Sequence, residues 1–412
     1  MKNTHVLLVS PYFYPHIGGS QRYMEELYAH VVKKYPDVHV DVLSCNTAHA
    51  TKTEEYRGLT IHRIPCWEIL PGQFVLPNPV SLIKVLIKLG KNHIDVVHTH
   101  IRFFDACWWG WLYAKFSGAA SVFTEHVAAH PVHGNSLVSF MGKLIDQTIA
   151  AWSIKHYDFV TVTNKSALDF LRETLAVKKD IKLLYGGVDT AYFSPNAIKT
   201  RRIPRVAKKF KKNDVIVSFV GRLIWSKGVT YLYDALKQVL PHVPKNVYVV
   251  IGGVGKLEST LRQNIEADRL EHRIFLTGPL ESSQVRTLLS TTDIFIHPSH
   301  HNEGFPNVLL EAGASGNFCI ATKNGGVQEL IRHKKTGVVI AQKNVRAIKN
   351  ALLWAINNPV DRRAMGKALQ ESIQTKFDWK LLTQEYYRAI LAPRPLYRPG
   401  LGLSSYLAQS ST

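Results

Sequence analysis

HPSHHNEGFPNVLLEAGASG, residues 297–316, reads as the end of a buried strand, a polar loop and the opening turns of a helix. The apolar run DIFIHPS (293–299) supplies the strand, and Pro306 falls at the first helical turn, where a missing N–H costs nothing. The N–H groups of Asn307, Val308 and Leu309 would then be free donors at the positive end of a helix dipole, a site suited to an anion. Glu303 lies in the loop, and Glu311 follows eight residues later inside VLLEAGA. A carboxylate in such apolar company is costly unless something hydrogen-bonds it, and sugar or ribose hydroxyls would do so. Spacing alone also allows an ordinary loop acid and an ordinary helix acid.

Working outward, FVGRLIWSKG (219–228) ends a strand at Gly221 and then offers Arg222 and Lys227, two cations able to neutralise a diphosphate. YFYPHIGGSQRYMEEL (12–27) sets Gly18 and Gly19 before a helix, with Ser20 as its expected N-cap. Glycines there let a ligand approach the backbone. The string is not GxGxxG, so dinucleotide binding has little support. His126 closes the strand SVFTEH, while in DVVHTH (95–100) His98 is expected to face the core and His100 the cleft mouth.

The same rhythm runs through the whole chain. HVLLVS (5–10), VHVDVLS (38–44), DVVHTH, ASVFTEH (120–126) and DFVTVT (158–163) read as strands separated by helices, including 80–89 and 140–154. After residue 214 the pattern restarts with VIVSFVG (215–221), VYVVIGG (247–253), RIFLTG (273–278), FCIAT (318–322) and GVVI (337–340). Helices are expected over 346–357, 361–375 and 379–391. Buried strands alternating with helices imply an α/β fold with parallel sheets, here two Rossmann-like domains facing a cleft. The division reads as 1–192, a lysine-rich linker 193–213, 214–375, a C-terminal helix 376–391 crossing back, and a disordered tail 392–412.

With 412 residues, 46% of them apolar, the chain is long enough for two domains and excludes wholesale disorder. A formal net charge of +20 implies an anionic partner: nucleic acid, a membrane surface or a phosphate-bearing substrate. Cys45, Cys66, Cys107 and Cys319 form no CxxC pair and read as reduced thiols of a cytoplasmic protein. No apolar stretch approaches the ~20 residues of a bilayer span, and MKNTHVLLVSPYFYPH has too short an apolar run for a signal peptide. LPNPVSLIKVLIKLGKN (76–92) is amphipathic, with Lys84, Lys88 and Lys91 near one face. It is read either as a core helix with a solvated side or as a peripheral contact with an anionic membrane.

EGFPNVLLE resembles the E-x7-E motif of the retaining glycosyltransferases of family 4, which have the GT-B fold. FVGRLIWSKG is similar to that family's G-R-L-x4-K-G string, YPHIGG to its P-x-x-G-G opening and TEH to its T-x-H position. IGGVGKLE (251–258) resembles its G-x-G loop through Gly253, although Val254 stands where a carboxylate is common. Asn324-Gly325-Gly326 with Glu329 resembles its G-G-x-x-E loop. The resemblance spans residues 5–390. It implies that Glu303 contacts the donor hexose, Glu311 the ribose, and the amides after Phe305 and Pro306 the diphosphate. Arg222 and Lys227 would hold the phosphates, with Gly18 and Gly19 facing them and His126 beside the reacting carbon.

The implied reaction moves a hexosyl group from a UDP- or GDP-sugar to a hydroxyl of a glycan or lipid-linked acceptor, with retention, by a front-face route. No Asp-x-Asp occurs in the chain, which fits a metal-independent enzyme without a cofactor. The alternatives are a nucleotide-sugar epimerase of the same fold and a basic nucleic-acid-binding protein. No zinc, RRM or KH pattern supports the latter.

Overall fold

Strands apolar on both sides need cover on both faces, and the apolar runs of this chain are found inside two such covered sheets. The computed structural model describes residues 3–16, 18–70, 74–130, 136–195, 203, 205–206, 210–300 and 304–392. The first half contains β1 (Thr4–Val9), β2 (Val38–Cys45), β3 (Thr53–Tyr56) and β4 (Leu59–Ile64). The hairpin β5 (Cys66–Leu70) and β6 (Phe74–Pro77) follows, then β7 (Val96–His100), β8 (Ala120–Glu125), β9 (Phe159–Val162) and β10 (Ile181–Leu183). Their sheet runs β10-β9-β8-β7-β1-β2-β4-β3, parallel except for the antiparallel β3 at one edge.

The second half contains β11 (Val215–Val220), β12 (Val247–Gly252), β13 (Ile274–Gly278), β14 (Ile294–His297), β15 (Phe318–Thr322) and β16 (Val338–Ile340). They form an all-parallel sheet in the order β13-β12-β11-β14-β15-β16. In each sheet the strand order reverses once at a central strand, beside β1 and beside β11. Ligands of such folds bind at the carboxyl ends of the strands flanking that reversal.

Alternate residues of β1 face opposite layers. Val6 and Leu8 bury against helix Gly19–Lys34, while Leu7 and Val9 bury against helices Pro79–Gly90 and Ala106–Ser117. The first layer is completed from the far end of the chain. Trp379, Leu382 and Tyr386 of helix Trp379–Tyr386 join Tyr23, Met24, Leu27 and Tyr28 in one cluster. The Tyr386 hydroxyl lies 2.7 Å from that of Tyr28 and 2.8 Å from His98 Nδ1.

Several sequence expectations change. Strands β3, β4, β5, β6 and β10 are additional to those expected. Helix Gly19–Lys34 is capped by Gly18, not Ser20, because Ser20 already lies within the helix. Pro306 is the residue preceding helix Asn307–Ala314 and not its first member. The lysine-rich stretch between the halves is more than a spacer. Its described residues Ile203, Val206 and Phe210 bury with Ile216, Val250 and Leu288 on the second sheet. Each such side chain is worth about 1.5–3 kcal/mol, enough to hold the segment down against lysine repulsion. The expected tail lies, from residue 393 on, outside the described residues.

Candidate functional site

Loops at the carboxyl ends of strands from both sheets make up the candidate site. The loop after β11 carries Arg222, which is exposed, and Lys227, which is half-buried in the turn Trp225–Lys227. This loop is held on both sides. The Leu223 N–H donates to Val254 O (2.8 Å), and the His300 N–H donates to Ser226 O (3.0 Å). Gly253, at φ +132°, presses on it so closely that a Cβ would lie 1.9 Å from Gly221 O. Any side chain at 253 would push the Arg222 loop away, which gives this glycine a steric reason independent of ligand contact.

Helix Asn307–Ala314 follows β14 of the same sheet. Phe305 wedges it in place between the rings of Tyr185 (5.4 Å) and Phe377 (5.4 Å). The Leu309 N–H donates to Pro306 O (3.0 Å), and Leu309 is fully buried. Its expected amide contact is therefore taken internally. The N–H groups of Asn307 and Val308 have no such bond among the described residues. The Asn307 side chain crosses the cleft, its Nδ2 donating to Gly19 O (3.1 Å). Glu303 lies outside the described residues, but its neighbour Gly304 abuts the first domain. A Cβ on Gly304 would stand 2.0 Å from His126 O, so this glycine lets the two walls touch.

Glu311 is buried, and burial raises its pKa above the usual carboxylate range. Arg22 opposes that shift from the other domain, with Nη2 2.7 Å from Oε1. Glu329 adds a further tie across the cleft, its Oε1 accepting the Lys165 N–H (2.9 Å). It is the Glu of the Asn324-Gly325-Gly326 loop, and the Gly326 N–H donates to Gly304 O (2.8 Å).

His126 stands at the end of β8 with its Nε2 3.0 Å from His100 Nδ1 and the Tyr23 ring 4.9 Å away. Burial lowers its pKa to about 4, so the imidazole is neutral near pH 7 and suited to hydrogen bonding rather than charge. His100 is buried behind it, not at the cleft mouth. His98 faces the core as expected, between Tyr28 Oη (2.6 Å) and Thr124 Oγ1 (2.7 Å).

A buried ionic cluster holds the His126 loop. The Glu125 carboxylate accepts the N–H groups of His126 (2.8 Å) and Val127 (2.9 Å), and Arg102 Nη1 lies 2.6 Å from its other oxygen. Arg102 also pairs with Asp146 and donates to Val127 O (3.0 Å) and Ala129 O (2.5 Å), while His130 Nδ1 reaches Asp146 at 2.5 Å. Sequence reading missed Arg22, Arg102, Glu125 and Asp146. For Arg22, Arg102 and Glu125 the available clue was charge placed at or near the end of an apolar strand or the start of a glycine-led helix; Asp146, inside the helical run 136–156, offered none.

The Arg22–Glu311 pair gives a pH prediction. In Arg22→Ala, Glu311 loses the cation that favours its ionised form, so its pKa rises further. The acid limb of kcat/KM should move to higher pH while the alkaline limb stays. Superimposable acid limbs for the two proteins would show that the pair is not coupled to activity.

Two family descriptions match the chain in succession. Glycosyltransferase Family 4 covers residues 17–192, and Glycosyl transferases group 1 covers 201–372. An uncharacterized glycosyltransferase of Methanocaldococcus jannaschii is 24% identical over 94% of this chain and 98% of its own. A phosphatidylinositol N-acetylglucosaminyltransferase polypeptide of Arabidopsis thaliana is 28% identical over 84% of this chain and 74% of its own. Among solved structures, sucrose-phosphate synthase from Thermosynechococcus elongatus superposes with a TM-score of 0.75 at 20% identity, over 94% of this chain and 98% of that one. These matches favour sugar transfer over the epimerase and nucleic-acid alternatives. With two opposed Rossmann-like sheets and a cleft built from their strand ends, this chain is a GT-B glycosyltransferase of group 1, family 4.

Proposed function

We propose that the cleft binds a UDP- or GDP-hexose and transfers its hexosyl group, with retained configuration, to a hydroxyl of a glycan or lipid-linked acceptor. The observation that carries the reading is the contact of the two walls at their strand ends: Asn307 Nδ2 donates to Gly19 O (3.1 Å) and Arg22 lies 2.7 Å from the buried Glu311, with Arg222 and Lys227 on the loop that leaves β11 of the same sheet. Fixed cations and unspent N–H groups suit a diphosphate, and a carboxylate held in a dry wall suits ribose hydroxyls. Glu303 would hold the hexose. The Arabidopsis relative, whose name makes phosphatidylinositol its acceptor, supports a lipid-linked acceptor.

Two successive inversions would need a carboxylate nucleophile at the sugar face opposite the leaving group. In the first domain Glu125 and Asp146 are both spent on Arg102. The front-face route needs none. The bond from the anomeric carbon to the phosphate oxygen breaks, the acceptor oxygen bonds to the same face, and its proton passes to the departing phosphate. Arg222, Lys227 and the helix amides then stabilise the charge that develops on that phosphate. His126, neutral and hydrogen-bonded, would orient the sugar hydroxyls.

Screening UDP- and GDP-sugars for thermal stabilisation identifies the donor, and NMR of the product gives its anomeric configuration. We expect retention, and turnover unchanged by EDTA. An inverted product would overturn the front-face route. Loss of turnover in EDTA, restored by a divalent ion, would overturn metal independence.

A further inference from the structure

Thirteen of the seventeen exposed large apolar side chains described lie between Trp67 and Trp152, in the first domain alone. Their positions follow helical periodicity. Helix Pro79–Gly90 presents Val80, Ile83 and Ile87 outward, and helix Ala106–Ser117 presents Leu112 and Phe116, the latter 81% exposed. Ser136–Ile145 buries no residue at all, and it exposes Leu137, Phe140, Met141 and Leu144 at i, i+3, i+4 and i+7. An α-helix with an apolar stripe and nothing against it is incomplete as it stands.

Helices Pro79–Gly90 and Ala106–Ser117, with Ala151 and Ile154 of the run that continues Ser136–Ile145, cover the side of the sheet opposite helix Gly19–Lys34. They are also neighbours. Tyr113 Oη donates to Leu86 O (3.1 Å), linking the second helix to the first. Trp111 stacks edge-on against Trp152 (5.3 Å), and its Nε1 donates to His156 O (3.1 Å), linking it to the helical run that continues from Ile145 to His156. The exposed stripes thus belong to one continuous surface. At one end of that surface Asp146 is bound to Arg102, so the third helix is anchored to the loop that carries His126.

Charge identifies the occupant. Between residues 79 and 156 six lysines are exposed: Lys84, Lys88, Lys91, Lys143 and Lys155, and Lys115, which is paired with Asp158 just beyond the stretch (2.9 Å). Among the described residues of this stretch no acid is exposed. A second copy docking by a two-fold axis would set this lysine-bearing face against itself. Nucleic acid would accept the lysines but leave the aliphatic stripes in water. A surface that is anionic at its headgroups and apolar beneath satisfies both. No helix of the described residues is long and apolar enough to cross a membrane, so contact would be from one side.

We propose that helices 79–90, 106–117 and 136–156 form a docking face for an anionic lipid bilayer. The apolar stripes enter the interface and the lysines meet the headgroups. The proposal goes beyond the transfer reaction and needs no donor assignment. It would deliver a lipid-borne hydroxyl to the His126 side of the cleft.

The test is co-sedimentation of the full chain, without nucleotide sugar, with phosphatidylcholine vesicles containing about 30 mol% phosphatidylglycerol, against phosphatidylcholine alone. We expect binding to the anionic vesicles that weakens at least about fivefold between ~0.1 and ~0.5 M salt. Phe140→Ser with Leu144→Ser, and separately Lys84→Glu with Lys88→Glu, should each weaken it at least about tenfold, with unchanged circular dichroism. Wild-type protein left in the supernatant with anionic vesicles would overturn the proposal, as would full binding by both variants. A dimer in sedimentation velocity that dissociates in the serine variant would overturn it in favour of a second copy. Donor binding by thermal shift should be the same in all of these proteins, which separates this result from the donor reading.

Discussion

Replacing Lys227 or Arg222 by alanine is expected to lower kcat by about 10²–10³-fold each, while the melting temperature moves by no more than about 2 °C. The asymmetry comes from where the two cations sit. Arg222 is exposed at the end of β11, and Lys227 is half-buried in a short turn, so neither supports much of the core. The loop itself is held by backbone bonds to Val254 and His300, which the substitutions leave in place. On the proposed reading, the variants lose charge at the position where the leaving phosphate would become more negative, an interaction stronger in the transition state than in the bound donor. The effect should therefore appear in kcat more than in KM. Turnover within threefold of wild type for both variants would remove the electrostatic account.

The second large effect is on stability. Arg102→Met leaves Glu125 and Asp146 buried without their cation, a loss of about 3–5 kcal/mol. Urea midpoints measure it. The double variant Arg102→Met, Glu125→Gln should recover part of the loss, because it removes one of the stranded charges along with the cation. Stability of Arg102→Met within about 1 kcal/mol of wild type would show that the cluster is not the closed ionic unit described. Because the same cluster fixes the backbone of His126 and Val127, the surviving folded fraction should also turn over more slowly.

The parallel strands were legible because burial on both faces leaves little choice but apolar and small uncharged residues, as in VIVSFV and FCIAT. The strand LTIHRI was not. His62 and Arg63 break its pattern, and they are tolerated because Asp41 lies 2.6 Å from the first, while the second has Glu54 at 2.7 Å and donates to Thr51 O and Tyr14 O. Such compensation is invisible until the partners are placed. The candidate site divides along the same line. Gly18, Gly19, Asn307 and Glu311 could be named from local motifs, and the fold brings them to one cleft. Arg22 could not, because its importance lies in Glu311, which sits on the opposite sheet's helix. Leu309 shows the converse, since a motif assigned it an amide contact that the helix start itself consumes.

The first domain is not a contiguous piece of chain. Tyr386 seals the layer containing Tyr28 and His98, and it arrives only after the entire second domain. A chain cut at residue 375 would leave that groove open, and a chimera exchanging first domains would have to carry residues 376–391 with them. During synthesis the half made first must wait on the ribosome, its aromatic socket unfilled, until the half made last has emerged.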